Sequence, residues 1–308
     1  MNAAVKVDMS DTPAERTHVP VMVAEVCALL AARSLRTIVD ATVGTGGHAE
    51  ALLNATEARL IGLDRDPAAI AVARDRLAHF GARVSLHHAD FAAIDEVLDR
   101  TGDDRVDAIL ADLGMSSLAL DDPSRGFSFR FDGPLDMRMD PEQALTAADL
   151  VNGESEIELA RILYEYGEER ASRRIARAIV NAREHSRIST TGELRQIAER
   201  VLGWRRRGRV HPATRTFQAL RIAVNRELES LATLLDRAPM RLAAGGRMAV
   251  LAYHSLEDRA VKNRMRELGE TAEFILPVRK AIRPNGVEIA QNPRARSARL
   301  RCVERTAS

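Results

Sequence analysis

Cysteine is scarce in this sequence, with only Cys27 and Cys302 among 308 residues. Two thiols are too few for a disulfide framework or for a metal site built on cysteine, so no metal centre is predicted. No run of about 18 apolar residues occurs, and the first 17 residues are polar with mixed charge. We therefore expect a cytoplasmic protein with no membrane association, whose residues 1–17 form a flexible N-terminus.

Net charge is also small, at +1, so the overall charge does not indicate a nucleic-acid partner. Two local stretches differ from this average. Residues 204–226 contain seven arginines and no acid, and residues 279–301 contain seven cationic side chains and one acid. Such clusters bind phosphate even in a neutral chain, although they also form solvated helix faces. The candidate phosphate contacts are Arg205, Arg206, Arg207, Arg209, Arg215, Arg294 and Arg296.

Short apolar runs alternate with helical patterns in the first third of the chain. The strand candidates are residues 37–41, 59–63, 83–87 and 106–111, and the helix candidates between them are residues 48–55 and 67–80. Asp66 is placed to cap the second helix, with Pro67 at its first position. This alternation is typical of βαβ units and predicts one half of a doubly wound parallel sheet.

The pattern then changes to helices. Capping boxes at Ser155 and Thr190 begin two of them, and Pro212 opens a long helix whose apolar stripe runs to Leu235. Gly245 and Gly246 are expected to close that helix. Gln218, Arg221 and Asn225 share its polar face, which lines a domain junction or forms interior polar contacts.

The sheet pattern resumes with a buried strand at 247–253, followed by two β-like runs at 272–278 and 297–303 that pair antiparallel or lie apart. We expect an α/β fold that ends in a β-hairpin and contains a helical insert. The predicted domains are 18–124 with 212–308, which form the doubly wound domain, and 125–211, which form the insert.

A glycine-rich turn, Gly44-Thr45-Gly46-Gly47, lies between the first strand and its helix. Glycine permits a tight turn and lets backbone amides approach a ligand. Asp64 follows Gly44 by 20 residues, a spacing at which an acid accepts hydrogen bonds from ribose hydroxyls. These residues predict a nucleoside cofactor. Because Gly44, Gly46 and Ala49 also satisfy a dinucleotide pattern, an NAD-dependent oxidoreductase remains an alternative.

Asp40, just before the turn, favours methyl transfer over hydride transfer. Its carboxylate would repel a pyrophosphate but would attract the ammonium group of a methionine moiety. The turn also has no neighbouring arginine or lysine to bind a phosphate. The hairpin-like ending fits a methyltransferase sheet as well.

Six blocks in the later sequence carry a family resemblance. They are DLGMSS (112–117), RGFSF (125–129), DGPLDMRMD (132–140), HPATRTFQALR (211–221), HSLEDR (254–259) and NPRARS (292–297). With these blocks, the chain resembles the bacterial 16S ribosomal RNA cytosine-N4 methyltransferases, the MraW family, from His18 to its end. One departure is Leu118-Ala119, where family members often have Pro-Gln.

The resemblance implies a class I methyltransferase domain with an inserted RNA-recognition domain, and S-adenosylmethionine as the cofactor. It implies one cytosine in the decoding region of 16S rRNA as the substrate, within the 30S subunit. Carried over by position, Gly46, Gly47 and His48 hold the methionine end of the cofactor, Asp64 its ribose and Phe91 its adenine. Asp112 lies at the methyl-transfer end.

The amino group of cytosine is a poor nucleophile, so an enzyme must position it and accept its hydrogen bonds. Asp112, at the carboxyl end of the fourth strand, is the candidate acceptor, unless it caps the next turn. His254 is a candidate for orienting the base or accepting a proton, although a lone histidine is more often structural. Candidates for stacking on the base, or for anchoring loops in a core, are Phe127, Phe129, Phe131 and Tyr253.

A second alternative is an RNA-binding ribosome-assembly factor without catalytic activity. The arginine clusters fit this alternative as well as they fit an enzyme, because they bind RNA phosphate in either case. The sequence also leaves open whether the chain forms a homodimer.

Overall fold

The computed structural model describes residues 20–31, 33–203 and 211–306. The expected flexible segment 1–17 lies outside these residues. So do Arg205, Arg206, Arg207 and Arg209, four of the predicted phosphate contacts.

A single mixed sheet forms the centre of the fold. Its strands are β1 (Thr37–Asp40), β2 (Arg59–Asp64), β3 (Val84–His88), β4 (Val106–Asp112), β5 (Leu242–Ala252), β6 (Phe274–Ile275) and β7 (Arg299–Arg305). They lie in the order β3-β2-β1-β4-β5-β7-β6. The first five strands are parallel, and β7 runs antiparallel to both of its neighbours. This sheet confirms the predicted α/β, class I methyltransferase-like fold.

Three of the helices begin where the predicted caps at Asp66, Ser155 and Thr190 place them. The helices are α1 (Val23–Leu30), α2 (Gly47–Ala55), α3 (Pro67–Leu77), α4 (Ile94–Thr101), α5 (Ser117–Asp121), α6 (Ala147–Gly153), α7 (Glu156–Glu165), α8 (Ser172–Arg183), α9 (Thr191–Leu202), α10 (Thr214–Asn225), α11 (Glu227–Arg237), α12 (Ser255–Leu268) and α13 (Gly286–Gln291). Asp66 accepts a hydrogen bond from the N–H of Ala68. Thr190 forms a full capping box with Glu193, and Ser155 accepts from the N–H of Glu158.

Three apolar clusters hold these elements together. One packs α4, α11 and α12 on one face of the sheet, and another packs α1, α2 and α3 on the opposite face. The third cluster joins α6, α7, α8, α9 and α10 into a separate helical unit. Because α10 contributes Phe217, Leu220 and Val224 to this third cluster, packing extends the helical unit beyond the predicted boundary at residue 211.

The predicted long helix after Pro212 is two helices. Arg226 separates α10 from α11 with a left-handed φ of 50°. The sequence has apolar residues on both sides of this break because each of the two helices packs its own apolar face against a core. The two cores are different. The side chains of α10 enter the helical cluster, whereas Leu231 and Leu234 of α11 pack on the sheet.

Gly245 and Gly246 do not close a helix, as the sequence predicted, but lie within β5. Gly245 has φ 73°, which is accessible to glycine without strain. The strand shifts register here, because Val106 pairs with Leu242 and Ala108 with Arg247. The two glycines therefore form an irregularity in a strand.

The chain does not end in a simple hairpin either. The predicted strand 272–278 is reduced to β6, and α13 lies in the connection to β7. The two strands pair antiparallel, but β7 lies between β5 and β6 in the sheet. Among the helices in the described ranges, none has the length and apolar composition to cross a bilayer.

Asn225 joins the helical unit to the loop that precedes α6. It is 3% exposed, its Oδ1 accepts from the N–H of Met139 at 2.7 Å, and its Nδ2 donates to the carbonyl of Met137 at 2.7 Å. Asn225→Ala leaves both backbone groups unpaired, so we expect the free energy of unfolding to fall by about 1–3 kcal/mol. Urea denaturation measures this change. The exposed Asn263→Ala is the control, with a change within about 0.5 kcal/mol. Equal denaturation midpoints for the two variants would contradict the role of Asn225.

Candidate functional site

A cavity of about 340 Å³ opens at the carboxyl ends of the parallel strands. It lies where the strand order reverses between β1 and β4, the place at which open α/β sheets bind ligands. Five of the six predicted cofactor contacts line it, and these are Gly47, His48, Asp64, Phe91 and Asp112. Gly46, the sixth predicted cofactor contact, is buried and does not line the cavity.

Asp64 fixes the conformation of the glycine turn. Its Oδ2 accepts from the N–H of Gly44 at 2.8 Å, and its Oδ1 accepts from the N–H of Asp66 at 2.9 Å. Burial raises the pKa of Asp64, while these two backbone hydrogen bonds lower it. The carboxylate keeps further lone pairs for a ligand hydroxyl, since each oxygen accepts more than one hydrogen bond.

Asp40 lies behind the cavity and does not line it. It is 1% exposed, its Oδ1 accepts from the N–H of Thr42 at 3.2 Å, and its Oδ2 has no hydrogen-bond partner among the described residues. Burial raises the pKa of Asp40 to about 7, although the neighbouring His48 acts in the opposite direction. Asp40 is therefore placed to act on the cavity only through its charge when it is ionised, and not through direct contact.

His48 connects the turn to the segment before α1. Its Nε2 lies 2.8 Å from the carbonyl oxygen of Val21, and its Nδ1 lies 3.4 Å from Oδ2 of Asp112. Gly47 is in equally close contact with that segment, because a Cβ at this position would lie 2.6 Å from Cγ of Pro20. The segment that begins at residue 20 thus closes one side of the cavity.

Asp112 is held at the end of β4 by its neighbours. Its N–H donates to Oγ1 of Thr42 at 2.6 Å, and its Oδ1 accepts from the hydroxyl of Tyr253 at 2.6 Å. Burial raises the pKa of Asp112, and His48 and the Tyr253 hydrogen bond partly oppose this effect. Burial and the nearby Asp112 raise the pKa of Tyr253 well above its usual value, so its hydroxyl stays protonated and donates.

Phe91 presents its ring to the cavity, and Arg65 packs against this ring. The guanidinium carbon of Arg65 is 5.5 Å from the ring centroid. Arg65 also pairs with Asp90 and donates to the carbonyl of Asn225 at 2.8 Å. The ring is thereby fixed at the cavity wall, where a flat base could pack on it.

His254 does not line the cavity. Its Nδ1 accepts from the N–H of Glu257 at 3.3 Å, which makes it the N-cap of α12, and its Nε2 lies 3.2 Å from Oε1 of the same residue. Glu257 in turn accepts from the N–H of Tyr253 at 2.8 Å. The geometry gives His254 a capping role, and its catalytic role stays a prediction that this placement does not support.

The four aromatic candidates divide by environment. Phe127 is buried in the helical cluster, and Phe129 stacks on His211 with centroids 4.5 Å apart. Phe131 is 63% exposed, whereas Tyr253 lines the cavity. The loop-anchoring alternative therefore fits Phe127 and Phe129.

The three predicted phosphate contacts that the structure describes also differ in their surroundings. Arg294 lines the cavity and donates to both carboxylate oxygens of Asp121, at 2.9 and 3.0 Å. Arg215 and Arg296 are exposed, and Arg215 also donates to the carbonyl of Glu168 at 3.0 Å. Their contact with phosphate stays a prediction.

Several wall residues were not among the predicted site residues. Pro20 and Val21 reach the cavity from the segment before α1, and Met139 reaches it from the loop before α6. Arg221 lines it from α10, and both oxygens of Glu227 accept from its guanidinium at 2.8 Å. Only long-range packing brings these residues together, although Met139 and Arg221 lie within the blocks that carry the family resemblance.

Comparison with known proteins shows the family. Residues 15–306 match the MraW methylase family. The chain belongs to this family. The result confirms the resemblance in the sequence and, with it, S-adenosylmethionine as the cofactor. The oxidoreductase alternative has no support from these matches.

The sequences of individual relatives align with this chain over nearly their whole length. A protein of Sorangium cellulosum is 49% identical over 294 residues, which cover 95% of this chain and 92% of the relative. A protein of Synechococcus elongatus is 50% identical over 297 residues, covering 96% and 97%. Both are named ribosomal RNA small subunit methyltransferase H.

Among solved structures, the N-methyltransferase NodS from Bradyrhizobium japonicum is similar, with a TM-score of 0.43 and 11% identity. The match covers 92% of this chain and 94% of NodS. Because this TM-score is below 0.5, the likeness carries no further conclusion.

Asp40 predicts a pH dependence of stability. The unfolded carboxyl loses its proton near the ordinary pKa of 3.8, whereas the folded one keeps it until about pH 7. At Asp40 the folded state therefore binds more protons in this window, and the stability that this group contributes falls as pH rises from about 4 to about 7. Asp40→Asn removes the titrating carboxyl. The free energy of unfolding of this variant, relative to wild type, should therefore increase between about pH 4 and pH 7 and then level off.

Urea denaturation at a series of pH values measures this difference. Asp75→Asn, at an exposed position on α3, is the matched control and should follow the wild-type profile. Parallel profiles for Asp40→Asn and wild type would show that Asp40 does not titrate in this range.

Gly47 predicts a steric effect on cofactor binding. Its added Cβ would clash with the rigid ring of Pro20, so Gly47→Ala must displace the segment that closes the cavity. We expect the dissociation constant for S-adenosylmethionine to rise about tenfold or more, measured by titration calorimetry. Gly153→Ala is the control, because its Cβ would meet nothing within 4 Å. Unchanged affinity in Gly47→Ala would exclude a role for this close contact in cofactor binding.

Proposed function

We propose that this chain methylates the N4 amino group of one cytosine in the decoding region of 16S rRNA, with S-adenosylmethionine as the methyl donor. The observation that supports this most is the placement of Asp112, a partly buried carboxylate on the cavity wall with a raised pKa. The names of the 49–50% identical relatives support a small-subunit rRNA substrate. The resemblance noted in the sequence supports cytosine N4.

The cavity has features that fit the cofactor. The Asp40 carboxyl lies behind the glycine turn with its pKa raised to about 7, and its ionised form suits the ammonium group of a methionine moiety. Asp64 has lone pairs for the ribose hydroxyls, and the ring of Phe91 offers a flat surface to adenine. Gly46, Gly47 and His48 would hold the methionine end. When bound, S-adenosylmethionine supplies an electrophilic methyl group.

Asp112 would act on the amino group of the target cytosine. Because the nitrogen lone pair is delocalised into the ring, a hydrogen bond from the N–H to the carboxylate makes the lone pair more available. A raised pKa also makes the carboxylate a better proton acceptor than an exposed aspartate. Tyr253 holds Oδ1 and His48 faces Oδ2, so both partners fix the orientation of the carboxylate.

Tyr253 is also the aromatic side chain best placed to contact an extruded base, because it lies at the cavity wall beside Asp112. Bases that undergo chemistry are generally taken out of their stack, so the cavity must admit one nucleotide. We infer that Arg294, at the same wall, lies near the adjoining phosphate. The 30S subunit as partner, the cytoplasmic location and a homodimer remain predictions.

The direct test is mass spectrometry of small-subunit RNA from a strain that lacks this protein and is complemented with wild type or Asp112→Asn. Wild type should restore one methyl group at cytosine N4 in the decoding region. A methyl group at carbon 5, or on another base, would refute the proposal. So would an RNA methylation pattern that does not depend on the protein.

In the purified enzyme, Asp112→Asn should lower the rate of methyl transfer about 10²–10⁴-fold, because the amide is a far weaker proton acceptor. Single-turnover transfer of a labelled methyl group measures this rate. Asp104→Asn, whose side chain is 87% exposed, is the matched control and should retain the wild-type rate. A loss below about tenfold would assign the catalytic role to another group.

A further inference from the structure

A second group of cationic side chains lies on the helical unit, apart from the cavity. Arg173, Arg174 and Arg177 of α8 and Arg200 of α9 line a surface groove together with Asn181. These five side chains are exposed, and no acid lines the groove. The groove shares no lining residue with the cavity at the sheet edge.

Structural roles explain only part of this cluster. Arg174 donates to the carbonyl of Val201, so it satisfies an acceptor at the C-terminal end of α9. Arg177 faces Glu156 at 3.4 Å, but the two side chains are 72% and 39% exposed, and exposed pairs contribute little. Within the described part of the chain, Arg173 and Arg200 form no ion pair.

The positive charge on α8 is unfavourable for the helix by itself. From Ser172 to Arg183 the helix contains four arginines and no acid. Arg173 and Arg177 are one turn apart on the same face, where like charges repel. An anion in the groove relieves this repulsion and pairs with planar guanidinium groups, which bind phosphate with two hydrogen bonds each.

The extent of the groove favours a chain of phosphates over a single ion. The arginines come from two helices, and Asn181 adds an amide one turn beyond Arg177. In the sequence, α9 ends immediately before the stretch that contains Arg205, Arg206, Arg207 and Arg209. RNA is a polyanion with regularly spaced phosphates, and its backbone fits an extended cationic surface.

We propose that Arg173, Arg177 and Arg200 bind the phosphate backbone of the substrate RNA, away from the nucleotide that enters the cavity. This inference rests on the RNA substrate of the proposed function. The groove supplies affinity and register without reading the target base. Methyl transfer then takes place at the sheet edge, whereas part of the RNA-binding surface lies on α8 and α9.

The test compares two triple variants with equal loss of charge. The first is Arg173→Gln with Arg177→Gln and Arg200→Gln. The control replaces three exposed helical arginines of the sheet domain, Arg74→Gln with Arg100→Gln and Arg266→Gln. The dissociation constant for a small-subunit RNA fragment that contains the decoding region is measured over a series of salt concentrations.

For the groove variant, we expect the slope of log affinity against log salt to fall by about 2, since each single-stranded phosphate contact contributes roughly 0.7. The control should keep the wild-type slope. Both variants should bind S-adenosylmethionine like wild type, which shows that they are folded. An unchanged slope in the groove variant would overturn the inference and assign the groove to another anion, such as an acidic protein surface. An equal loss in the control would overturn it too.

Mapping the methyl group that wild type adds separates this inference from the proposed function. If wild type methylates cytosine N4 and the groove variant has an unchanged slope, only the proposal about the groove is refuted. If wild type methylates another atom and the groove variant has a reduced slope, the cytosine-N4 assignment is refuted and the groove is retained as an RNA-binding surface. Absence of RNA binding by wild type would overturn both.

Discussion

The structure depends on keeping three carboxylates together at one buried edge of the sheet. Asp40, Asp64 and Asp112 end β1, β2 and β4, and burial raises the pKa of each. Buried charges are tolerated only when other groups pair with them. The glycine turn offers backbone amides, and His48 and Tyr253 offer side chains. The conformation of the turn and the positions of His48 and Tyr253 therefore serve the same electrostatic requirement.

Much of this edge was predictable because its signals are local. Alternating apolar runs predicted the parallel strands, and the spacing from Gly44 to Asp64 predicted an acid beside the turn. The sequence predicted a ribose acceptor, whereas the structure shows that Asp64 also holds the turn itself through the N–H of Gly44. Pro20 and Val21 were missed because they reach the cavity only through contacts between segments far apart in sequence.

The helical unit shows why the remaining boundaries could not be read from a pattern. A stripe of leucines runs through α10 and α11 at one periodicity, and periodicity does not record which core each turn faces. The left-handed backbone at Arg226 is also unexpected for a residue other than glycine. The two glycines at 245 and 246 indicate a backbone irregularity equally well in a helix end and in a strand, and only the pairing of β4 with β5 decides between them.

The position of β7 has a consequence for how the molecule is made. This strand follows all the others in the chain, yet it lies inside the sheet, paired with β5 on one side and β6 on the other. During synthesis, β5 therefore leaves the ribosome before β7, and the edge of β5 that pairs with β7 stays unpaired until then. Tyr253 follows β5 directly, so the cavity wall gains its final support late. Until β7 is inserted, the unpaired edge of β5 is of the kind that promotes aggregation of folding intermediates.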